Sequence, residues 1–283
     1  MKKLYIIGDP VKHSLSPVIY NAALKSLGID TEYTYEKMRV KKEELKEFIS
    51  KVRYNKITGA SVTLPHKENI IPFLDELTKE ANLLESVNTI YVKNGRVVGH
   101  NTDGIGFLKA FEEAGVKIVG KRVILLGAGG AAKAIAFTLA LNEVSKLVII
   151  NRRKKNADNI AKKIEEKTNV IVQTASLESL KTMLKDADII INATSVGMKG
   201  LMDNQTLINA DLINSKMTVM DIVYNPRVTM FLKEAEKSGA KTIDGTGMFV
   251  HQGTEQFKIF TGRKPPIAIM KNALLEALDE TCS

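Results

Sequence analysis

The chain has 283 residues, 44% hydrophobic and 26% charged, enough for two ordinary globular domains. It contains no apolar run long enough to cross a bilayer, so the composition argues against a membrane-spanning protein or a membrane partner. The formal net charge is +9, but the lysines are spread through mixed-charge segments such as 41–51 and 161–167. That pattern speaks against a nucleic-acid interface and for a solvated surface whose field draws in small anions. Cys282 is the only cysteine. It has no partner for an intramolecular disulfide, which suits a reducing cytoplasm.

In chain order, the short apolar run after Met1-Lys-Lys stops at Asp9-Pro10, so it predicts a first strand, Leu4–Ile7, rather than a signal peptide. Ser16 followed by Pro17 predicts a helix start, with Ser16 as N-cap. That helix runs to about Leu27, has Val18, Ala22 and Ala23 on one face, and is ended by Gly28. A strand at Glu32–Met38, an amphipathic helix at Lys42–Val52 and a strand at Ile57–Val62 complete a β-α-β-α-β start with a parallel sheet. Pro65-His66-Lys67 opens a further helical segment, and Asp75–Leu84 reads as another. Asn94-Gly95 between Thr89–Val92 and Arg96–Val98 is a hairpin signal. A helix from about Ile105 to Glu113 is the candidate hinge between domains.

The stretch from Arg122 to Lys133 organises the second half. It reads as a buried strand (Val123–Leu126), a glycine turn and a helix from Ala131 to Leu141. The turn fits G-x-G-x-x-A. Gly127 allows the sharp bend, Gly129 lets a pyrophosphate approach the backbone, and Ala132 lets helix and sheet pack closely. The helix start offers free N–H groups and a positive dipole end to phosphates. Further strands at Leu147–Ile150, Val170–Thr174, Ile189–Ala193, Thr218–Ile222 and Lys241–Asp244 alternate with helices, which predicts a doubly wound sheet. Two final helices, about Met248–Phe260 and Ile267–Leu278, are surplus to that unit and are assigned back to the first domain. The expected division is thus 1–103 plus 248–283, and 104–247.

NAD-binding units carry an acid near the end of the second strand to hold the ribose hydroxyls. Here that place holds Asn151-Arg152-Arg153-Lys154-Lys155. Guanidinium groups clasp a phosphate bidentately, so NADP is the expected cofactor. Thr194 and Ser195 end another strand at the carboxyl edge of the same sheet, where ligands bind, and are expected to border the cofactor. No metal is expected.

Four stretches are left without a packing role: Ser14-Leu-Ser16, Ser61-Val-Thr-Leu-Pro-His-Lys67, Val87-Asn-Thr89 and Asn101-Thr-Asp103. Lys67 and Asp103 are the pair among them with acid–base potential. Ser14, Ser16, Thr63 and Asn88 suit a small carboxylated polyol.

At this point the chain resembles the shikimate dehydrogenase family over essentially its whole length. The motifs appear in order: Ser-Leu-Ser-Pro (14–17), Val-Thr-x-Pro-x-Lys (62–67), Val-Asn-Thr (87–89), Asn-Thr-Asp-Gly (101–104), Gly-Ala-Gly-Gly-Ala (127–131), Asn-Arg (151–152), Asn-Ala-Thr-Ser (192–195), Asp-x-x-Tyr-x-Pro (221–226) and Asp-Gly-x-Gly-Met…Gln-Gly (244–253). The resemblance implies two open α/β domains: an N-terminal substrate-binding domain, joined by the C-terminal helices, and a Rossmann-type NADP-binding domain. It implies reversible NADPH-dependent reduction of 3-dehydroshikimate to shikimate, in chorismate and aromatic amino-acid synthesis. A relative acting on quinate as well is the alternative. A homodimer is the assembly allowed for.

Carried over position by position, the resemblance makes Lys67 the proton donor and acceptor, partnered by Asp103. Ser14 and Ser16 would bind the substrate carboxylate with Tyr224 nearby, and Thr63, Asn88, Asp103 and Gln252 the ring hydroxyls and carbonyl. Gly127, Ala128, Gly129, Gly130 and Ala131 would hold the pyrophosphate. Asn151, Arg152, Arg153, Lys154, Lys155 and Asn156 would surround the adenosine 2′-phosphate. Ile222 and Gly245 would lie at the nicotinamide end. Two positions depart from the family pattern. Ser61 replaces the usual Asn, which places its substrate contact in question, and Arg153 replaces the usual Thr, which adds positive charge for a 2′-phosphate.

Overall fold

The computed structural model of the chain describes residues 1–168 and 170–280; Cys282 lies outside them. The described chain divides into two compact units. One comprises residues 1–106 together with the stretch that begins at Val250, and the other comprises Phe107–Phe249.

The first unit is built on a six-stranded sheet of order β2-β1-β3-β5-β6-β4. Its strands are β1 (Lys2–Gly8), β2 (Tyr33–Arg39), β3 (Gly59–Val62), β4 (Glu76–Leu77), β5 (Thr89–Lys93) and β6 (Arg96–His100). β1 pairs parallel with both β2 and β3, as a βαβ crossover requires. The expected parallel start thus holds for β1 to β3. Beyond it β5 enters antiparallel to β3, the tight hairpin sets β6 antiparallel to β5, and the sheet is mixed. Asn94 and Gly95 both have positive φ, as a two-residue hairpin turn demands.

Helix α2 (Leu45–Arg53) buries Leu45, Phe48, Ile49 and Val52, spaced i, i+3, i+4, i+7, against Tyr5, Ile7, Ala60, Val62, Ile90 and Val97 of the sheet. Helix α1 (Ser16–Ser26) buries Ile19, Tyr20, Ala23 and Leu24 and packs on α11 (Ile267–Glu280). The face expected from Val18 and Ala22 is therefore rotated, and Val18 is exposed. Ser16 is also not the N-cap. It is the first helical residue after Leu15; its hydroxyl accepts from Ser14 Oγ at 3.1 Å rather than from a helix N–H, and its own N–H donates to Ser14 Oγ at 3.2 Å.

The helix expected over 75–84 is split. Glu76 and Leu77 pair with Val98 and Gly99 as an edge strand. The helix, α4 (Lys79–Leu84), starts only after Thr78, whose side chain accepts the Ala81 N–H. Threonine at that point offers the first turn a cap, and the residues before it take the free sheet edge instead.

The second unit carries a wholly parallel sheet of order β12-β11-β10-β7-β8-β9, the doubly wound arrangement. Its strands are β7 (Arg122–Leu126), β8 (Lys146–Ile150), β9 (Val172–Ala175), β10 (Ile189–Asn192), β11 (Thr218–Asp221) and β12 (Lys241–Ile243). The apolar runs Val-Ile-Leu-Leu, Leu-Val-Ile-Ile and Ile-Ile-Ile are buried throughout, because helices cover both faces of a parallel sheet. Ile124, Leu126, Val148, Ile150, Ile190 and Val219 form one core with Phe231, Leu232 and Ala235 of α9 (Met230–Lys237).

Candidate active site

In the first unit, β1, β3, β5 and β6 bring the sequence-predicted polar stretches to one place. Lys67 lies on α3 (His66–Asn69), a single turn that follows β3 through the cis Leu64–Pro65 bond. Its Nζ donates to Asp103 Oδ2 at 2.5 Å, and both side chains are largely buried, 14% and 6% exposed. Such burial shields the pair from solvent screening, unlike the ion pairs on the surface. Asp103 is the first residue of α5 (Asp103–Glu113) rather than its cap; Asn101 Oδ1 accepts its N–H at 2.9 Å.

Asn88 supplies the second hold on Asp103. Its Nδ2 donates to Asp103 Oδ1 at 2.9 Å and to Thr102 Oγ1 at 3.0 Å, with Gln252 Oε1 at 3.4 Å. Asp103 is thus gripped at both oxygens, one by an amide and one by an ammonium. Gln252 comes from α10 (Gly245–Thr261), and its carbonyl accepts the Thr102 hydroxyl at 3.1 Å. Ser14 donates to Ser16 Oγ at 3.1 Å at the start of α1. Thr63 sits half-buried just before Pro65 and orders the turn through its backbone, its carbonyl accepting the His66 N–H.

Ser61 is bonded to other buried side chains. It is buried, and its hydroxyl accepts from Tyr35 and donates to Gln256 Oε1, both at 2.6 Å, so its proton is committed inside the protein. Thr89, Thr102 and Gln256 gain no role from sequence reading, yet all three touch Asn88. The readable signal is the spacing of Gln252 and Gln256, four residues apart on one helix face.

In the second unit, Gly127 has φ +111°, and a Cβ there would stand 2.7 Å from the Ala193 carbonyl oxygen. Glycine is required at this turn. Gly129 caps α6 (Gly130–Leu141) with no side-chain cap bond at the helix end, and nothing beyond its chain neighbours lies within 4 Å of where its Cβ would be. Ala128, Gly130 and Ala131 are half-buried around it, and Ala132 is fully buried against the sheet. This is an open helix N-terminus of the kind that receives a pyrophosphate.

At the end of β8, Asn151 Nδ2 donates to the Arg153 carbonyl at 3.0 Å and closes the turn into α7 (Lys154–Lys167). Arg152 and Arg153 are exposed and enter no ion pair among the described residues; Lys155 and Asn156 are exposed beside them. Lys154 is turned along its own helix, 2.7 Å from Asp158. The residues present therefore fit a phosphorylated dinucleotide: a bare helix N-terminus for the pyrophosphate and two unpaired guanidinium groups for a further phosphate.

Thr194 donates to Asn192 Oδ1 at 2.7 Å and accepts the Val196 N–H, so it shapes the turn after β10. Ser195 Oγ faces Met202 Sδ at 3.9 Å. Tyr224 lies against Phe249 with ring centroids 4.1 Å apart. Tyr224 belongs to this second unit, whereas Ser14, Ser16, Thr63, Lys67, Asn88, Asp103 and Gln252 all belong to the first. A Cβ on Gly245 would stand 2.5 Å from the Ile222 carbonyl oxygen, which explains glycine there by close approach of two backbones.

Just before Ile222 and Tyr224 in the chain lies Asp221, fully buried. It accepts from Asn192 Nδ2, the Val223 N–H and the Thr229 hydroxyl at 2.9, 3.0 and 2.6 Å. Burial pushes its carboxyl up to about 6, against the pull of those three donors. A carboxyl raised on folding adds stability that is complete below its unfolded value and lost as pH rises through the folded one. Asp221→Asn should remove that contribution. Urea unfolding should then show the stability of the parent, measured against the variant, falling between about pH 4 and pH 6. A constant difference across that window would contradict the assignment.

Three family models match successive parts of the chain: the shikimate dehydrogenase substrate binding domain at residues 6–90, shikimate / quinate 5-dehydrogenase at 109–245, and the shikimate 5'-dehydrogenase C-terminal domain at 245–275. A relative named shikimate dehydrogenase (NADP(+)) from Methanocaldococcus jannaschii is 42% identical over 98% of this chain and 97% of its own. One of the same name from Thermococcus kodakarensis is 42% identical over 98% of both chains. Among solved structures, a shikimate dehydrogenase in complex with NADP+ superposes with a TM-score of 0.92 at 42% identity, covering 98% of this chain and 96% of the other. The shikimate 5-dehydrogenase of Thermus thermophilus in complex with NADP(H) and shikimate gives 0.87 at 33% identity, covering 98% and 100%. With matches of this identity over nearly its whole length, the chain belongs to the shikimate dehydrogenase family.

Proposed function

We propose that this protein is an NADP-dependent shikimate dehydrogenase, catalysing the reversible reduction of 3-dehydroshikimate to shikimate, with residues 1–103 and 248–283 as its substrate domain and 104–247 as its cofactor domain. The observation that carries the reading is the buried Lys67–Asp103–Asn88 arrangement, an ammonium held by a carboxylate that is itself held by an amide. NADPH, when bound, supplies the hydride that reaches the carbonyl carbon. The carbonyl oxygen then needs a proton, and a positioned acid contributes about 10²–10⁴-fold to such a step.

Lys67 gives that proton in reduction and takes it back in oxidation. Asp103 keeps the amine aimed and accepts from the ring hydroxyl beside it. Asn88, Thr63 and Gln252 complete the set around the ring hydroxyls and carbonyl. Ser14 and Ser16 bind the substrate carboxylate, and Tyr224 is a further substrate-binding residue. Gly127 to Ala131 receive the pyrophosphate, Asn151 to Asn156 the 2′-phosphate, Thr194 and Ser195 border the cofactor, and Ile222 and Gly245 flank the nicotinamide. The acting form binds small molecules, a homodimer is its proposed assembly, and the cytoplasm its compartment.

Cofactor choice tests the reading. Hydrogen bonds to charged groups contribute about 1.5–3 kcal/mol. Arg152→Ala is therefore expected to raise the KM for NADPH about tenfold or more and leave that for NADH nearly unchanged. Steady-state oxidation of shikimate and of quinate with each cofactor measures both preferences. Equal losses with the two cofactors would assign Arg152 to the fold, and faster turnover of quinate would move the substrate to the neighbouring activity.

A further inference from the structure

The polar groups around Asn88 do not end at the catalytic pair. Gln256 Nε2 donates to the Asn88 carbonyl at 2.8 Å and to Thr89 Oγ1 at 3.0 Å. Thr89 Oγ1 donates to Asn88 Oδ1 at 2.7 Å. On the far side, Gln256 Oε1 accepts from Ser61 at 2.6 Å and from Tyr20 at 2.8 Å, and Tyr35 donates to Ser61. Tyr20, Tyr35, Ser61, Asn88, Thr89 and Gln256 are all at most 3% exposed.

The direction of every bond in this chain is fixed by groups with only one possible role. The Asn88 carbonyl can only accept, so the nitrogen of Gln256 must face it and the oxygen must face Ser61 and Tyr20. Ser61 spends its proton on that oxygen, so Tyr35 donates to Ser61. Thr89 receives from Gln256 and must pass its own proton to Asn88 Oδ1. The Thr102 N–H also points at Asn88 Oδ1, at 2.9 Å. The nitrogen of Asn88 is thereby left facing Asp103, whose other oxygen holds Lys67. A flip of either amide would set donor against donor in a buried site, which costs about 1–3 kcal/mol per unsatisfied group.

We propose that Gln256 and Thr89 are positioning residues for the proton-transfer pair: they lock the Asn88 amide so that its N–H holds Asp103 in line with Lys67. The proposal rests on the reading of Lys67 and Asp103 as the proton-handling groups. It also gives Ser61 a role in this chain: its short hydroxyl fills the space between Tyr35 and Gln256 and closes the network at its inner end.

The test uses the full-length enzyme and four variants, Thr89→Val, Thr89→Ser, Gln256→Met and Lys67→Ala, with kcat, KM for shikimate, NADP+ affinity and melting temperature measured on each. Thr89→Val is nearly isosteric and removes only the hydroxyl. It should lower kcat about tenfold, raise KM by less, and leave NADP+ affinity unchanged, and Thr89→Ser should recover most of the loss. Gln256→Met should lower kcat further; should it fail to fold, the Thr89 pair decides alone. Normal turnover in Thr89→Val, or equal damage in Thr89→Ser, would overturn the proposal while Lys67→Ala remains inactive. An active Lys67→Ala would instead overturn the reading beneath it.

Discussion

Lys67→Ala is expected to lower kcat at least a hundredfold with little change in KM for shikimate. The amine is the group paired with Asp103 that can both give and take a proton at a carbonyl oxygen, and removing it takes away a stabilisation made in the transition state alone. The same change should cost stability. Asp103 is 6% exposed, and without Lys67 its carboxylate keeps only neutral donors. Breaking one partner from a buried pair costs about 3–5 kcal/mol. The two effects separate cleanly: a lower melting temperature reports the stranded carboxylate, and turnover measured well below that temperature reports the chemistry. A variant that melts early yet turns over normally would leave Lys67 a structural cation only.

Gly127→Ala should abolish detectable NADP+ binding at concentrations that saturate the parent. Two separate penalties converge there. The backbone sits at φ +111°, where a side chain is strained by about 1–3 kcal/mol, and the new Cβ would meet the Ala193 carbonyl at 2.7 Å. Backbone against backbone cannot give way without displacing the turn that leads into α6. Gly129→Ala makes the informative contrast. Its φ is −87° and the space around its Cβ position is open, so the melting temperature should fall only slightly, through the weaker N-cap, while the added methyl obstructs the approach of a pyrophosphate. Calorimetric titration with NADP+ alongside thermal melting distinguishes the two. Normal cofactor affinity in both variants would remove the glycine turn from cofactor binding.

The parts of this fold that are legible in sequence are those fixed by a local physical rule. Val-Ile-Leu-Leu followed by Gly-Ala-Gly-Gly reads as a buried strand turning into a helix, and Asn94-Gly95 as a hairpin, because each depends on neighbours in the chain alone. Where two local rules compete, the sequence misleads. Glu76-Leu77 has the composition of a helix start, but a sheet edge lies beside it and Thr78 is the better cap. On α1, Val18 and Ala22 share an apolar face by periodicity, yet Tyr20, stacked on Tyr35 at 3.9 Å, sets the rotation. A long-range aromatic contact of this kind leaves no mark in spacing.

The site divides the same way. Lys67 and Asp103 stand out because charged residues in short polar stretches beside strands have few packing roles. Thr89, Thr102 and Gln256 do not, since a buried threonine or glutamine reads as ordinary until the group it faces is known. Ser61 is the instructive case. From sequence its substrate contact is only put in question; in the structure its hydroxyl is bonded to Tyr35 and Gln256, two partners far away in the chain.

The most direct test of the whole account is the rise in absorbance at about 340 nm, where a reduced nicotinamide absorbs, when the purified full chain is given shikimate and NADP+. It is run beside Lys67→Ala at the same pH, with ligand binding checked on both. The account predicts a steady rise for the parent and an almost flat trace for a variant that still binds both molecules. A flat trace from the folded, ligand-competent parent, or matching slopes from the two proteins, would contradict it.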